Sequence, residues 1–79
     1  MQFELTTEYL NTLRSAIEEH KDAYLTEQLN EYYAADIAEI FDKLSFEEAK
    51  YLYDLMPEES TADVLLELDE DMREQLLAS

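Results

Sequence analysis

Hydrophobic residues recur along the chain at intervals of three and four, which is the spacing of an α-helix, and they do so in six short runs. We expect the first helix to begin after Thr6 or Thr7 and to end near His20. The second is predicted to start near Asp22 and the third near Ala34. The inward-facing positions of these three helices are predicted to be Leu10, Leu13, Ile17, Leu25, Leu29, Tyr32, Ile37, Ile40, Phe41 and Leu44.

Polar residues and one proline mark the starts of the other three helices. Ser45 and Glu48 have the spacing of a capping box, in which each side chain accepts a hydrogen bond from the other residue's amide. Pro57 is predicted to end the fourth helix and to occupy the first position of the fifth. Asp69 is predicted to cap the sixth. The inward-facing positions here are Ala49, Leu52, Tyr53, Met56, Val64, Leu65, Leu68, Met72, Leu76 and Leu77.

The expected fold is all-α, with about six short helices stacked in pairs. Helices of ~8–14 residues are marginal in isolation, so packing between them must stabilise the chain. Glycine is absent and proline occurs once, which disfavours β-hairpins. A faint repeat, in which residues 35–37 (ADI) return as residues 62–64 (ADV), is typical of stacked helical units. Residues 1–79 are therefore interpreted as a single helical domain or a piece of one.

Charge changes the expected set of partners. The formal net charge is −16, so there is no basic surface for nucleic acid and none for an anionic membrane. An acidic surface favours basic partners or divalent cations instead. Cysteine is absent and His20 is the single histidine, which excludes disulfides and multi-histidine metal clusters.

The sequence also indicates where the chain resides and that it is not an enzyme. No stretch approaches the ~20 apolar residues that span a bilayer, and Met1–Glu4 does not resemble the start of a signal peptide. We therefore expect a soluble, cytoplasmic chain. His20 and Ser45 have no acid or nucleophile arranged with them, so no catalytic residue is predicted. The tyrosines, Tyr24, Tyr32, Tyr33, Tyr51 and Tyr53 among them, are interpreted as half-buried residues, with a recognition patch as the alternative.

Five segments resemble, in order and spacing, those of a known family. They are residues 35–40 (ADIAEI), 44–49 (LSFEEA), 55–59 (LMPEE), 62–68 (ADVLLEL) and 69–77 (DEDMREQLL). Together they are similar to the N-terminal cytosolic domain of MgtE-type magnesium transporters, most clearly over residues 33–77. Two positions depart from the family pattern: Tyr33-Ala34 stands where His-Pro is usual, and Asp63 stands where glutamate is usual.

The resemblance implies a fold, partners and a cofactor. The family's N domain is a right-handed superhelix, so the six helices are expected to form a solenoid-like array of that hand. Its partners are the CBS domains and membrane domain of the same transporter, which this chain does not contain. The resemblance also implies that Mg²⁺ bridges acidic surfaces and holds the pore shut, on the cytoplasmic side of the cell membrane. The chain is then expected to be a fragment, with weak Mg²⁺ affinity and a tendency to form homodimers.

The same resemblance places a candidate metal ligand at Asp63, where the family supplies a carboxylate to an interdomain magnesium site. Glu67 lies one helical turn later and could join the site through water. The alternative for both residues is a solvated helix face on a chain with 21 acidic residues. The alternative function is a helical-repeat interaction module without metal, of the kind represented by the flagellar motor switch protein FliG.

Overall fold

The computed structural model describes residues 5–79, which form six α-helices and no β-strand. The predicted all-α class is confirmed, while the right-handed superhelical stacking stays a prediction. The Met1–Glu4 segment, in which no signal peptide is expected, lies outside the described residues. The helices are α1 (Thr7–Glu18), α2 (Asp22–Asn30), α3 (Ala34–Lys43), α4 (Phe46–Leu55), α5 (Glu58–Glu67) and α6 (Glu70–Ala78).

Side-chain caps begin three of these helices, as predicted. The Thr6 hydroxyl accepts from a first-turn amide of α1 at 3.1 Å. In the capping box of α4, the Ser45 amide donates to Glu48 Oε1 at 2.9 Å and the Glu48 amide donates to Ser45 Oγ at 3.2 Å. Asp69 Oδ1 accepts from a first-turn amide of α6 at 2.8 Å. These bonds satisfy amides that have no partner within the helix.

The substitution Ser45→Ala is expected to lower the free energy of unfolding by ~1 kcal/mol, because the Glu48 amide loses its acceptor. Urea denaturation of the two proteins measures the difference. Ser15→Ala is a matched control, since Ser15 is exposed within α1 and caps no helix. Equal losses in the two variants would contradict a capping role for Ser45.

Pro57 lies one position earlier than predicted. Its backbone is extended (φ −67°, ψ 153°), and α5 begins at Glu58, so Pro57 is the N-cap and not the first helical residue. Its carbonyl accepts from the amides of Ser60 and Thr61 at 3.0 and 3.1 Å. Proline suits the N-cap position as well as the first helical position, because its ring fixes φ but leaves ψ free to be extended.

The core extends through all six helices and is centred on α3 and α4. Helix α4 packs against α1, α2, α3 and α6, while the most extensive helix pairing joins α3 to α5. Leu77, predicted to face inward, is 62% exposed, because α6 packs on α4 through Leu76 and the adjacent position points away. The buried hydrophobic residues are Leu13, Ala16, Ile17, Leu25, Leu29, Ile37, Ala38, Ile40, Phe41, Leu44, Ala49, Leu52, Val64, Leu68 and Leu76.

Two arginines link neighbouring helices through their guanidinium groups. Arg14 on α1 donates from Nη2 to the Lys43 carbonyl at 2.9 Å and from Nε to Glu48 Oε1 at 3.3 Å. Arg73 on α6 donates from Nε to the Leu65 carbonyl at 2.9 Å and from Nη2 to the Leu68 carbonyl at 2.8 Å. The second arginine therefore satisfies carbonyls at the end of α5, which have no partner within the helix.

Candidate functional site

A groove of about 250 Å³ opens between the end of α2, the start of α3 and the junction of α4 with α5. Its buried lining residues are Leu29, Ile37 and Val64. Around them lie polar and aromatic side chains from α2, the α2–α3 junction and α5. These are Thr26, Asn30, Tyr32, Tyr33, Ser60 and Asp63.

Helix α5 places Asp63 in the wall of this groove. Val64 is buried against α3, which is the main packing partner of α5. Ser60 and Asp63 are three residues apart and therefore share one side of the helix. Both line the groove, whereas Glu67, one turn further along, is exposed and lies outside the lining. The structure thus separates the two predicted site residues: Asp63 lines the groove and Glu67 lies beyond its end.

Neither carboxylate is neutralised by a nearby cation in the described part of the chain. Within residues 5–79, Asp63 and Glu67 make no side-chain hydrogen bond and no ion pair. No lysine or arginine is among the described residues that line the groove. Four cationic side chains bond elsewhere: Arg14 to Glu48, Lys21 to Glu19 and Lys50 to Asp54, and Arg73 to backbone carbonyls at the end of α5.

The donor set suits a hydrated, hard cation and not a fully enclosed one. Among residues 5–79, no group of three or more histidine, aspartate or glutamate side chains is arranged to hold a metal ion. Mg²⁺ keeps several of its waters and is commonly bound through one or two carboxylates. Asp63, with Glu67 through water, could supply that number, and the remaining ligands would come from a facing surface. The magnesium site itself stays a prediction.

Tyr32 in the groove wall is held by α1. The Tyr9 ring contacts the Tyr32 ring edge-on, with 6.2 Å between centroids, and the Tyr9 hydroxyl donates to Gln28 Oε1 at 2.6 Å. Burial, and then the neighbouring Tyr32, raise the pKa of Tyr9 well above its ordinary value. Tyr9 therefore stays neutral and keeps its proton for the bond to Gln28.

The tyrosines follow the half-buried interpretation with one exception. Tyr24, Tyr32, Tyr51 and Tyr53 are partly buried against the core, as predicted. Tyr33 is 83% exposed, so the interpretation is wrong there. It is the N-cap residue of α3, where the extended backbone (φ −77°, ψ 161°) directs the side chain away from the helix packing.

A second polar contact joins the start of α2 to α4. The Tyr51 hydroxyl donates to the Asp22 carboxylate, and the His20 ring lies edge-on to the Tyr51 ring at 5.5 Å. The hydrogen bond to Asp22 raises the pKa of Tyr51, with a smaller effect from burial. His20 has a left-handed backbone (φ 57°) in the turn after α1, and its ring contact with Tyr51 packs that turn against α4.

The carboxyl group of Asp42, at the end of α3, has a raised pKa. Partial burial is the main cause and the nearby Asp69 carboxylate the next, while Lys43 acts in the opposite direction. A native pKa above the unfolded value means that the folded chain binds the proton more tightly. The stabilising contribution of Asp42 to the folded chain is therefore fully present below its ordinary pKa of 3.8. This contribution is lost as pH rises through the pKa of the folded state.

The substitution Asp42→Asn is accordingly expected to raise Tm at pH 7, because it removes an ionised carboxylate that folding disfavours. The gain should shrink as pH falls to about 4, where aspartate protonates in the unfolded chain. Thermal unfolding followed by circular dichroism at several pH values measures this. Glu27→Gln, at an exposed position of α2, controls for the change in net charge. A gain no larger than that of the control would contradict the prediction.

The sequence pattern that defines the MgtE intracellular N domain matches residues 32–79, which is more than half of the chain. The chain belongs to this family. The matched part of the MgtE N domain includes all of α3 to α6 and, with Tyr33 and Asp63, one side of the groove. The resemblance predicted over residues 33–77 is thereby confirmed. No curated protein and no solved structure matches the chain.

The family is one of transporter domains and not a known enzyme family. Within residues 5–79 of this MgtE N domain, none of the helices has the length and apolar character needed to cross a bilayer. The groove residues Asn30 and Ser60 were not singled out from the sequence. Ser60 could have been found from its spacing to Asp63, but Asn30 lies on another helix, and no local pattern joins it to α5.

Proposed function

We propose that this MgtE N domain is the regulatory cytosolic domain of a magnesium transporter, and that it senses Mg²⁺ through cation-bridged contacts with neighbouring domains. The observation that carries the proposal is the Asp63 carboxylate. This carboxylate is exposed and has no intramolecular partner among residues 5–79, and the domain that carries it belongs to a family of transporter domains. The partners of the domain would be the CBS domains and the membrane domain of the same transporter.

The mechanism follows from charge. With a formal net charge of −16, the domain repels any other acidic surface at low cation concentration. A divalent cation between the two surfaces neutralises both and links them through its remaining waters. Asp63 would donate a carboxylate oxygen to the ion, and Glu67 would contribute through water. Closure at high Mg²⁺ would hold the pore shut, and loss of the ion would let the domains separate.

Three of the other acidic residues are less suited to this role, because each already has a partner. Asp69 already caps α6, and Asp54 pairs with Lys50 at 2.7 Å. Glu48 is engaged by Arg14 and by the Ser45 amide. A carboxylate that already has a partner must give up that contact before it can bind an ion. Asp63 has no such contact among the described residues, which supports it as the first ligand.

The test in the intact protein is the substitution Asp63→Asn. We expect Mg²⁺ to protect the cytosolic part against limited proteolysis at a higher concentration than in the unaltered protein. The carboxamide is nearly isosteric but carries no charge, so it binds a hard cation more weakly. Asp71→Asn, at an exposed position of α6, is the matched control. The same Mg²⁺ midpoint in all three proteins would contradict the role of Asp63.

A companion experiment uses the isolated chain. Amide NMR shifts are followed during titration with MgCl₂ and with NaCl at matched ionic strength, because general screening of the charge would otherwise imitate binding. We expect saturable, magnesium-specific shifts at Asp63 and Glu67, with millimolar or weaker affinity because half of the site is absent. Shifts of equal size in NaCl would show screening alone and would contradict a preformed half-site.

A further inference from the structure

The groove beside Asp63 joins one carboxylate to an aromatic and apolar lining. Tyr33 stands 83% exposed at the start of α3, and Leu55 and Met56 line the groove from the end of α4. Magnesium, which keeps its water shell, gains nothing from such a lining. An organic cation with an apolar stem would use both parts of the groove, because its stem can pack on side chains while its charge meets the carboxylate.

Four polar side chains of the groove are free to bind a ligand. Thr26, Asn30, Ser60 and Asp63 all line it, and none makes a side-chain hydrogen bond or ion pair within residues 5–79. Each of them offers at least one acceptor oxygen. They come from α2 and α5, so a single ligand group in the groove would meet acceptors on two sides.

The charge around the groove selects a cation. Asp63 is the one ionisable acid or base among its described lining residues apart from the two tyrosines. The domain as a whole carries a formal charge of −16, so its field attracts cationic ligands and repels anionic ones. A space of about 250 Å³ suits one long side chain and lies below the ~300–1,000 Å³ typical of drug-sized ligands.

We propose that this groove binds an arginine side chain presented by a partner protein. The guanidinium group is planar and carries five donors, which fits several acceptors on opposite walls better than the ammonium group of lysine does. It pairs with the Asp63 carboxylate and packs on the Tyr33 ring, and its methylene stem lies along Leu55 and Met56. This interaction requires no metal ion, and because it uses the Asp63 carboxylate it would compete with the proposed binding of Mg²⁺ at that residue.

The first experiment compares two peptides by amide NMR of the isotope-labelled chain, in EDTA and at fixed ionic strength. One is acetyl-Ala-Ala-Arg-Ala-Ala-amide; the other replaces arginine by citrulline, which has nearly the same shape and no charge. We expect saturable shifts confined to Asn30, Tyr33, Ser60 and Asp63 with the arginine peptide, and binding at least about tenfold weaker with the citrulline peptide. Equal affinities, or shifts spread over the whole acidic surface, would overturn the proposal.

Variants locate the binding within the groove. Asp63→Asn should weaken the arginine peptide about tenfold through loss of the charged acceptor, whereas Asp71→Asn, outside the groove, should leave its affinity unchanged. Tyr33→Leu should weaken it, and Tyr33→Phe should not, because the aromatic face and not the hydroxyl contacts the guanidinium. Equal effects of Asp63→Asn and Asp71→Asn would overturn the proposal, since they would indicate attraction by net charge alone.

Discussion

Replacing Phe41 by alanine is expected to remove a large part of the free energy of unfolding of the domain. Phe41 is 0% exposed and lies on α3, which packs on both α4 and α5. Deleting a buried phenylalanine side chain commonly costs ~3–5 kcal/mol, through lost burial and the cavity that remains. A domain of this length has a total stability of only ~4–12 kcal/mol. Urea denaturation followed by far-ultraviolet circular dichroism measures the loss.

Phe46→Ala is the matched control for this prediction, because it removes the same side chain from a partly buried position at the start of α4. We expect it to lower the free energy of unfolding by less than half as much, since less apolar surface returns to water and no enclosed cavity forms. A Phe41 variant no less stable than the Phe46 variant would show that the core is not centred where the structure places it.

Helix boundaries could be predicted from the sequence where a side chain caps them. Ser45 with Glu48, and Asp69, begin α4 and α6 as expected, because capping is a contact between residues close in sequence. Pro57 was placed one residue too far into α5, since a proline is compatible with both positions. The N-cap of α2, Lys21, makes no side-chain capping bond, so only the hydrophobic spacing located the start of this helix near Asp22.

Tertiary features were harder to predict. Leu76 and Leu77 are adjacent and equally apolar, and only the packing of α6 on α4 determines that Leu76 is buried and Leu77 exposed. Tyr32 and Tyr33 were both expected to be half-buried, but Tyr33 is the N-cap of α3 and its side chain faces solvent. Periodicity describes one helix at a time and does not state which neighbour covers it.

The candidate site also has one part that the sequence predicted and one part that it did not. Asp63 was predicted because it occupies a recognisable position in a family segment, and the structure shows that it is exposed and without a partner in the described chain. The groove beside it forms only because α2 and the α4–α5 junction lie close to the part of α5 that carries Asp63. Asn30 is 33 positions away from Asp63 in the chain, so no spacing rule could have joined the two.

The substitution Arg73→Met is expected to lower the free energy of unfolding by about 2 kcal/mol. Its guanidinium donates to the carbonyls of Leu65 and Leu68, and hydrogen bonds from charged donors contribute ~1.5–3 kcal/mol each. The side chain is only partly buried, so water can reach the freed carbonyls and the lower part of this range applies. Methionine keeps most of the apolar stem, which isolates the loss of the bonds.

Lys21→Met makes the same change in net charge and serves as the control. The contact of Lys21 with Glu19 at 3.7 Å is exposed, and exposed ion pairs contribute only ~0–1 kcal/mol. Amide hydrogen exchange distinguishes the two effects: Arg73→Met should speed exchange mainly at the end of α5 and in α6, since Arg73 holds these two helices together. Destabilisation no greater than that of Lys21→Met would mean that the arginine only adds charge. A selective loosening of α5 would show that Arg73 supports the helix that carries Asp63.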